Sequence, residues 1–166
     1  MRRLKRQLYE AEGAVAEADR VAARKTLLAL PGMDQFRDVL AMEYRRATTS
    51  RAPLAGVLFA VSAPFMQNLG TFANVLLNML RKGEGIYRVS ENAFTVILPG
   101  MELDEVSGFT AQAEKLSGIP RENLRVTIAA YPEPVTSLAE LEECLSNKGT
   151  HLHEGTSSDT RMQKEA

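Results

Sequence analysis

The chain has 166 residues with 20 basic and 21 acidic side chains, and its formal net charge is −1. This length suits one domain with its own core, and the balanced charge argues against a nucleic-acid binder, which needs a strongly basic surface. The single Cys144 excludes an internal disulfide and a cysteine-based zinc site. The apolar stretches fall short of the ~18 residues of a membrane span, and no signal-peptide core follows the basic start, so we expect a cytoplasmic protein.

The first part of the chain has the spacing of a coiled coil. Apolar residues recur at alternating intervals of four and three: Leu4, Leu8, Ala11, Val15, Ala18 and Ala22. This is a heptad a/d pattern, and the residues around it favour helix. We predict a lead helix over residues 2–24. It either pairs with another helix or packs, partly frayed, on its own domain, and the sequence leaves both open.

Two helices and a strand are predicted next. Leu30-Pro31-Gly32 ends the lead helix, and residues 34–49 have the period of a second helix. Leu54–Val61 is a continuous apolar run, typical of a strand buried on both faces. Ser62 and Pro64 suit the start of a third helix, which we predict to run to about Lys82. Its apolar stripe comprises Phe65, Leu69, Phe72, Leu76, Met79 and Leu80.

The rest of the chain predicts a hairpin, a helix, a strand and a last helix. Residues 86–89 and 94–98 are short strands around a turn at residues 90–93. A helix follows from the acidic residues at 102–105 to Gly118, and residues 124–130 alternate as a strand does. Ser137 and Glu140 form a capping box for a helix that we expect to end at Lys148-Gly149. Residues 150–166 are polar, and we expect them to be disordered. The element order predicts an α+β class.

Four strings, taken in order, resemble the GGDEF domain of diguanylate cyclases, which join two GTP molecules into cyclic di-GMP. Tyr87-Arg-Val-Ser-Glu-Asn-Ala-Phe-Thr-Val-Ile-Leu-Pro-Gly100 resembles the signature hairpin Arg-Tyr-Gly-Gly-Asp-Glu-Phe with its following strand. Leu30-Pro31 resembles the family's opening Leu-Thr-Gly-Leu-Pro-Asn. The family's first core strand is similar to Pro53-Leu-Ala-Gly-Val-Leu-Phe-Ala-Val61, and its late strand is similar to Val126-Thr-Ile-Ala-Ala-Tyr-Pro132. The resemblance spans residues 25–149. It implies a palm-like, ferredoxin-like sheet flanked by helices, as in nucleotidyl cyclases.

The residues that this family uses to bind metal are replaced. The family places an Asp-x-Asp at the end of its first strand, where this chain has Ala60-Val61-Ser62. Its Gly-Gly-Asp/Glu-Glu-Phe signature is replaced by Ser90, Glu91, Asn92, Ala93 and Phe94. Mg²⁺ prefers charged oxygen ligands, and phosphoryl transfer needs the metal to neutralise developing charge. We therefore expect no catalytic residues, no bound metal or other cofactor, and no cyclase activity.

A second family motif, Arg-x-x-Asp before the signature hairpin, binds cyclic di-GMP in many members. Arg81-Lys82-Gly83-Glu84 stands at that position, and Arg88 adds a nearby positive charge. The resemblance implies that Arg81 pairs with a phosphate or stacks on guanine. The alternative is that Arg81 merely favours a helix C-terminus while Glu84 is a solvated turn residue.

These observations predict three segments and one leading function. Residues 1–24 are a lead helix and possible coiled coil, residues 25–149 a degenerate GGDEF-like domain, and residues 150–166 a tail. We expect an inactive signalling module that contacts protein partners or forms a homodimer through its lead helix. The alternatives are a cyclic di-GMP receptor, or an enzyme acting on another nucleotide through a replacement metal site that the sequence does not provide. His151 and His153 in the tail are a weak metal site.

Overall fold

The computed structural model describes residue 18 and residues 21–146. The chain forms helix α1 (residues 21–29), helix α2 (Met33–Ser50), strand β1 (Leu54–Val61), a 3₁₀ helix (Ala63–Asn68), helix α3 (Leu69–Met79), strand β2 (Gly85–Ser90), strand β3 (Ala93–Pro99), helix α4 (Leu103–Ser117), a second 3₁₀ helix (Arg121–Asn123), strand β4 (Leu124–Tyr131) and helix α5 (Leu138–Leu145). In this part of the chain, no helix combines the length and the apolar character needed to cross a membrane.

The four strands form one antiparallel sheet in the order β2-β3-β1-β4. From β1 onward the chain runs β-α-β-β-α-β, which is the ferredoxin-like arrangement. Strand β1 is central, so that Val57 lies between Val96 on one side and Ile128 on the other. The predicted α+β class and ferredoxin-like sheet are therefore confirmed.

Helices cover both faces of the sheet. All eight residues of β1 are buried, and because alternate side chains of a strand point to opposite faces, they divide between two apolar clusters. Ala55, Val57 and Phe59 join a cluster with α3 and α4, whereas Leu54 and Leu58 join one with α2 and α5. The prediction of a strand buried on both faces is confirmed.

The connection from α1 to α2 passes around the outer edge of β2. Leu30 packs against the cluster of α3 and α4, and Met33 packs against the opposite cluster. Between them, the carbonyl oxygen of Pro31 accepts a hydrogen bond from the backbone N–H of Arg88 at 2.8 Å. The Leu-Pro-Gly string therefore ends α1 and carries the chain from one face to the other.

The lead helix extends further than predicted. Helical structure continues to residue 29, five residues beyond the expected end at 24. Ala23 is 5% exposed, and Leu27 packs against the core beside it, while Ala18 and Ala22 of the predicted seam are exposed. Packing on the domain stabilises these last turns of the helix, whereas helix propensity alone would not. The other predicted seam positions, Leu4, Leu8, Ala11 and Val15, and the tail at 150–166 lie outside the described residues.

The third helix differs from its prediction at both ends. Its first turn is the 3₁₀ helix, in which Ser62 occupies the N-cap position without a side-chain hydrogen bond. Helix α3 ends at Met79 rather than near Lys82, because Leu80 is extended. The carboxylate of Glu84 accepts a hydrogen bond from the backbone N–H of Arg81 at 2.7 Å, which holds this turn outside the helix. The predicted apolar stripe is confirmed, since Leu69, Phe72 and Leu76 are fully buried.

The capping signals of the last two helices are confirmed. Glu102 caps α4 with Glu105 in a capping box, and Gly118 ends the helix with a φ of 72°. Ser137 caps α5 by accepting the backbone N–H of Glu140 at 3.2 Å. The Glu140 carboxylate accepts from the backbone N–H of Thr136 rather than of Ser137, so one half of the predicted capping box forms. Helix α5 ends at Leu145, before the predicted stop at Lys148-Gly149, which lies outside the described residues.

Candidate functional site

The turn between β2 and β3 is joined to the end of β1. The side-chain amide of Asn92 donates to the carbonyl oxygen of Val61 at 3.0 Å, and the backbone N–H of Val61 donates to the carbonyl of Asn92 at 2.9 Å. The hydroxyl of Ser90 donates to the other side-chain atom of Asn92, Oδ1, at 3.0 Å. Asn92 is thus held by three hydrogen bonds at the corner where the signature hairpin meets the first strand.

The positions at which the resemblance expects carboxylates lie side by side. Ala60 at the end of β1 is the register partner of Ala93 at the start of β3. Both side chains are buried, at 5% and 0% exposure, in the cluster with α2 and α5. Two methyl groups therefore stand where the resemblance expects acidic side chains, and both belong to the hydrophobic core.

An open cavity of about 540 Å³ lies beside this corner. Its polar walls are formed by Ser62, Asn92, Arg121, Glu122, Asn123 and Arg125. Within the described part of the chain, no group of three or more His, Cys, Asp or Glu side chains could hold a metal ion. The cavity presents more cationic than anionic side chains, so its own residues do not supply the oxygen ligands that Mg²⁺ prefers.

The remaining signature residues have structural contacts. Glu91 is exposed at the tip of the turn, and its carbonyl oxygen accepts a hydrogen bond from Nη2 of Arg88 at 2.9 Å. Phe94 is fully buried, with its ring edge-on to Phe72 at 5.7 Å between centroids. Arg88 on β2 therefore holds the hairpin turn, and Phe94 on β3 packs the hairpin against α3.

The structure brings Arg81 and Glu84 together in a closed turn. Nε and Nη2 of Arg81 donate to Oε2 of Glu84 at 3.2 and 3.0 Å. The Arg81 side chain is 64% exposed, whereas the Glu84 side chain is only 4% exposed. Glu84 is therefore not a solvated turn residue, as the alternative interpretation held, whereas Arg81 directly follows Leu80, the C-cap of α3. Arg88, the third tentative binding residue, is tied to the hairpin turn instead.

Sequence reasoning missed a buried acidic side chain. Glu43 in α2 is 8% exposed, and its charge together with burial raises the pKa of Tyr87 on β2, burial having the larger effect. Arg46 pairs with Glu43 at 3.4 Å. The helical period could have revealed it, because Phe36, Leu40, Glu43 and Ala47 follow the spacing of one buried face.

Comparison with known proteins identifies the fold. No protein-family model and no curated protein sequence matches the chain. Among solved structures, it resembles a DGC protein from Thermotoga maritima, with a TM-score of 0.58 and 18% identity over 72% of this chain and 98% of that one. It also resembles the active GGEEF domain of a diguanylate cyclase from Vibrio cholerae, with a TM-score of 0.61 and 12% identity over 78% of this chain and 92% of that one.

A further similar structure contains a coiled coil in addition to a GGDEF domain. The coiled coil and GGDEF domain of DgcB from Caulobacter crescentus, in complex with c-di-GMP, matches with a TM-score of 0.60 and 16% identity, over 85% of this chain and 87% of that one. At these identities the likeness establishes the architecture. The chain has a GGDEF-like fold, as the sequence resemblance implied.

Proposed function

We propose that this chain is a catalytically inactive GGDEF-like domain that serves cyclic di-GMP signalling as a protein-interaction module. The observation that carries the proposal is the corner between β1 and the hairpin, where Ala60 faces Ala93. The side-chain amide of Asn92 donates a hydrogen bond to the carbonyl of Val61. Phosphoryl transfer depends on metal ions that neutralise developing charge, and this corner offers buried methyl groups and an amide already engaged.

Activity is tested directly with the full chain. Purified protein is incubated with GTP and either Mg²⁺ or Mn²⁺, and the products are separated and identified by mass spectrometry, with an active diguanylate cyclase as the positive control. We expect unchanged GTP in the sample and cyclic di-GMP in the control. Metal-dependent formation of cyclic di-GMP, or of any other product from a nucleoside triphosphate, would overturn the proposed inactivity.

Self-association through the lead helix is the second part of the proposal. Ala23 and Leu27 face the domain, while Ala18 and Ala22 remain exposed together with Val21 and Leu28, which are 47% and 70% exposed. At Ala18 and Ala22, its two described positions, the predicted seam does not pack on the domain. An apolar face that continues along a helix supports pairing with a second helix of the same kind.

Light scattering during gel filtration tests this pairing. We expect a dimer for the full chain, and a monomer when Leu4 and Leu8 are both replaced by Asn. A matched control replaces Lys5 and Glu10, which lie off the seam, by Gln and retains the dimer. Removal of residues 1–17, which spares the contacts of Ala23, has the same effect as the Leu variants. An unchanged mass after that removal contradicts this part of the proposal.

A cyclic di-GMP receptor is the second candidate function, favoured by the turn of Arg81 and Glu84. The buried Glu84 carboxylate holds two nitrogens of the guanidinium, so the exposed Arg81 side chain is fixed in direction. A pre-oriented guanidinium suits a phosphate or a guanine base, because little freedom is lost on binding.

Calorimetry with cyclic di-GMP separates the two candidates. For the receptor, we expect saturable binding that Arg81→Ala abolishes and that Arg121→Ala, an exposed arginine of the hairpin-side cavity, leaves unchanged. Circular dichroism confirms that both variants remain folded. Absence of heat at two temperatures and high ligand concentration contradicts the receptor and leaves the interaction module, while binding that survives Arg81→Ala contradicts this site.

A further inference from the structure

The turn between α3 and β2 is closed by hydrogen bonds between its two end residues, Arg81 and Glu84. The backbone N–H of Glu84 donates to the carbonyl oxygen of Arg81 at 3.0 Å, and Gly83 between them has a φ of 91°, which glycine adopts without strain. The Glu84 carboxylate folds back over this turn. Its Oε1 accepts the backbone N–H of Arg81 at 2.7 Å, and its Oε2 accepts Nε and Nη2 at 3.2 and 3.0 Å. Both carboxylate oxygens are therefore engaged by Arg81.

The contact with Glu84 occupies one edge of the Arg81 guanidinium. A guanidinium binds a phosphate or a carboxylate best through two parallel N–H groups, and the edge formed by Nε and Nη2 provides such a pair. In Arg81 this edge is held by Glu84, and within residues 21–146 no other hydrogen bond engages the guanidinium. A ligand therefore meets Nη1 and the flat faces of the guanidinium, with a carboxylate already beside them.

The burial of Glu84 makes this contact harder to displace than an ordinary surface ion pair. The Glu84 side chain is 4% exposed, although the Arg81 side chain is 64% exposed. Water screens a buried carboxylate poorly, so its attraction to Arg81 and its repulsion of a nearby anion are both stronger than between two exposed groups. A phosphate that approaches Arg81 must therefore break the hydrogen bonds to Glu84 or tolerate its negative charge.

We propose that Glu84 is a built-in competitor that lowers the affinity of Arg81 for anionic ligands. Its carboxylate holds the edge of the guanidinium that a ligand phosphate would bind. This inference rests on the second candidate function, in which Arg81 binds cyclic di-GMP, and it gives Glu84 a role against binding rather than that of a second binding residue. The turn directs Arg81, but the parent protein binds the ligand more weakly than this arginine would without the carboxylate.

Calorimetry with cyclic di-GMP on the full chain tests this role with two variants of Glu84. Glu84→Gln keeps the length of the side chain and an oxygen for the backbone N–H of Arg81, but it removes the negative charge. We expect it to bind about tenfold more tightly than the parent, because the phosphate no longer faces a like charge. Glu84→Ala removes the whole carboxylate, should change the affinity in the same direction, and replaces the first variant if circular dichroism shows that Glu84→Gln is not folded.

Two controls assign the effect to the contact with Arg81. Glu91→Gln removes the same charge from an exposed residue at the opposite end of β2, and it should leave the affinity within about twofold at the same ionic strength. The double variant with Arg81→Ala and Glu84→Gln should bind no ligand, because the guanidinium that Glu84 competes for is absent.

The outcomes separate this inference from the receptor function itself. Tighter binding by Glu84→Gln supports the inference, and if the parent shows no binding, the receptor function fails while the role of Glu84 is retained. Binding by the parent that the Glu84 variants leave unchanged or weaken would overturn the inference and leave the receptor. No binding by the parent or by either variant would overturn both. Tight binding that persists in the double variant would also overturn the inference, since Glu84 would then oppose the ligand at another site.

Discussion

The carbonyl oxygen of Ala23 in α1 lies so close to Gly70 in α3 that a Cβ built on Gly70 would be 2.6 Å from it. The carbonyl carbon of Ala23 would be 2.8 Å away. Both are backbone atoms, which cannot rotate aside as a flexible side chain can. The absence of a side chain at Gly70 therefore determines how closely the lead helix packs on the domain.

Gly70→Ala should lower the free energy of unfolding by about 1–3 kcal/mol, because the added methyl group forces α1 away from α3. Gly108 in the exposed face of α4 is the matched control, since a Cβ there would meet no atom within 4 Å. Gly108→Ala should instead stabilise by ~0.5–1 kcal/mol through helix propensity. Urea unfolding measures both, and equal effects of the two substitutions would contradict the steric role of Gly70.

Asn92→Ala should destabilise the protein by about 1–2 kcal/mol, because the carbonyl of the buried Val61 loses its side-chain donor. Asn92→Asp should cost at least as much, since a carboxylate oxygen then replaces that donor beside the carbonyl. Glu91→Ala in the same turn keeps the backbone carbonyl that Arg88 binds, and its effect should stay within ~0.5 kcal/mol. Thermal unfolding provides the comparison, and an unaffected Asn92→Ala protein would show that the hairpin does not depend on this contact.

Stability should fall above pH 10 through Tyr87. Burial, with a further contribution from Glu43, raises the pKa of this phenol above its ordinary value of 10.0. Below pH 10 the phenol is protonated in both the folded and the unfolded states. Above it the unfolded chain loses the proton first, so the free energy of unfolding decreases as pH rises towards the folded-state pKa. Urea unfolding at pH 8, 10 and 11 should show this decrease, and Tyr87→Phe should reduce it. A Tyr87→Phe protein with the same pH dependence as the parent would exclude this cause.

Cys144 should react slowly with thiol reagents in the folded protein. Burial, then the nearby Glu143 and Glu140 carboxylates, raise the pKa of its thiol above the ordinary value of 9.0. The reactive species is the thiolate, so its fraction at pH 8 is lower than for a free cysteine. Alkylation with iodoacetamide should be much faster in denaturant than in buffer, and equal rates in the two would contradict the half-buried position of this side chain.

Local patterns in the sequence predicted most of the elements. Each of these signals depends on residues a few positions apart: the apolar run of β1, the hairpin, the N-cap at Ser137 and the stop at Gly118. Such signals act through the backbone conformation and hydrogen bonds of one segment, and a single segment contains all the residues needed to read them. The expectation that Ala60, Ser62, Asn92 and Ala93 stand in place of metal-binding residues also came from the order of residues, through the resemblance to the GGDEF signature.

Contacts between distant residues were decided only by the tertiary structure. The contact of Ala23 with Gly70 extends the lead helix past its predicted end, and the register of β1 with β3 brings Ala60 beside Ala93. In each case burial or a hydrogen bond between segments outweighs a local preference of a few tenths of a kcal/mol per residue. The sequence by itself therefore determined the order and type of the elements, whereas packing determined where they end and which residues they contact.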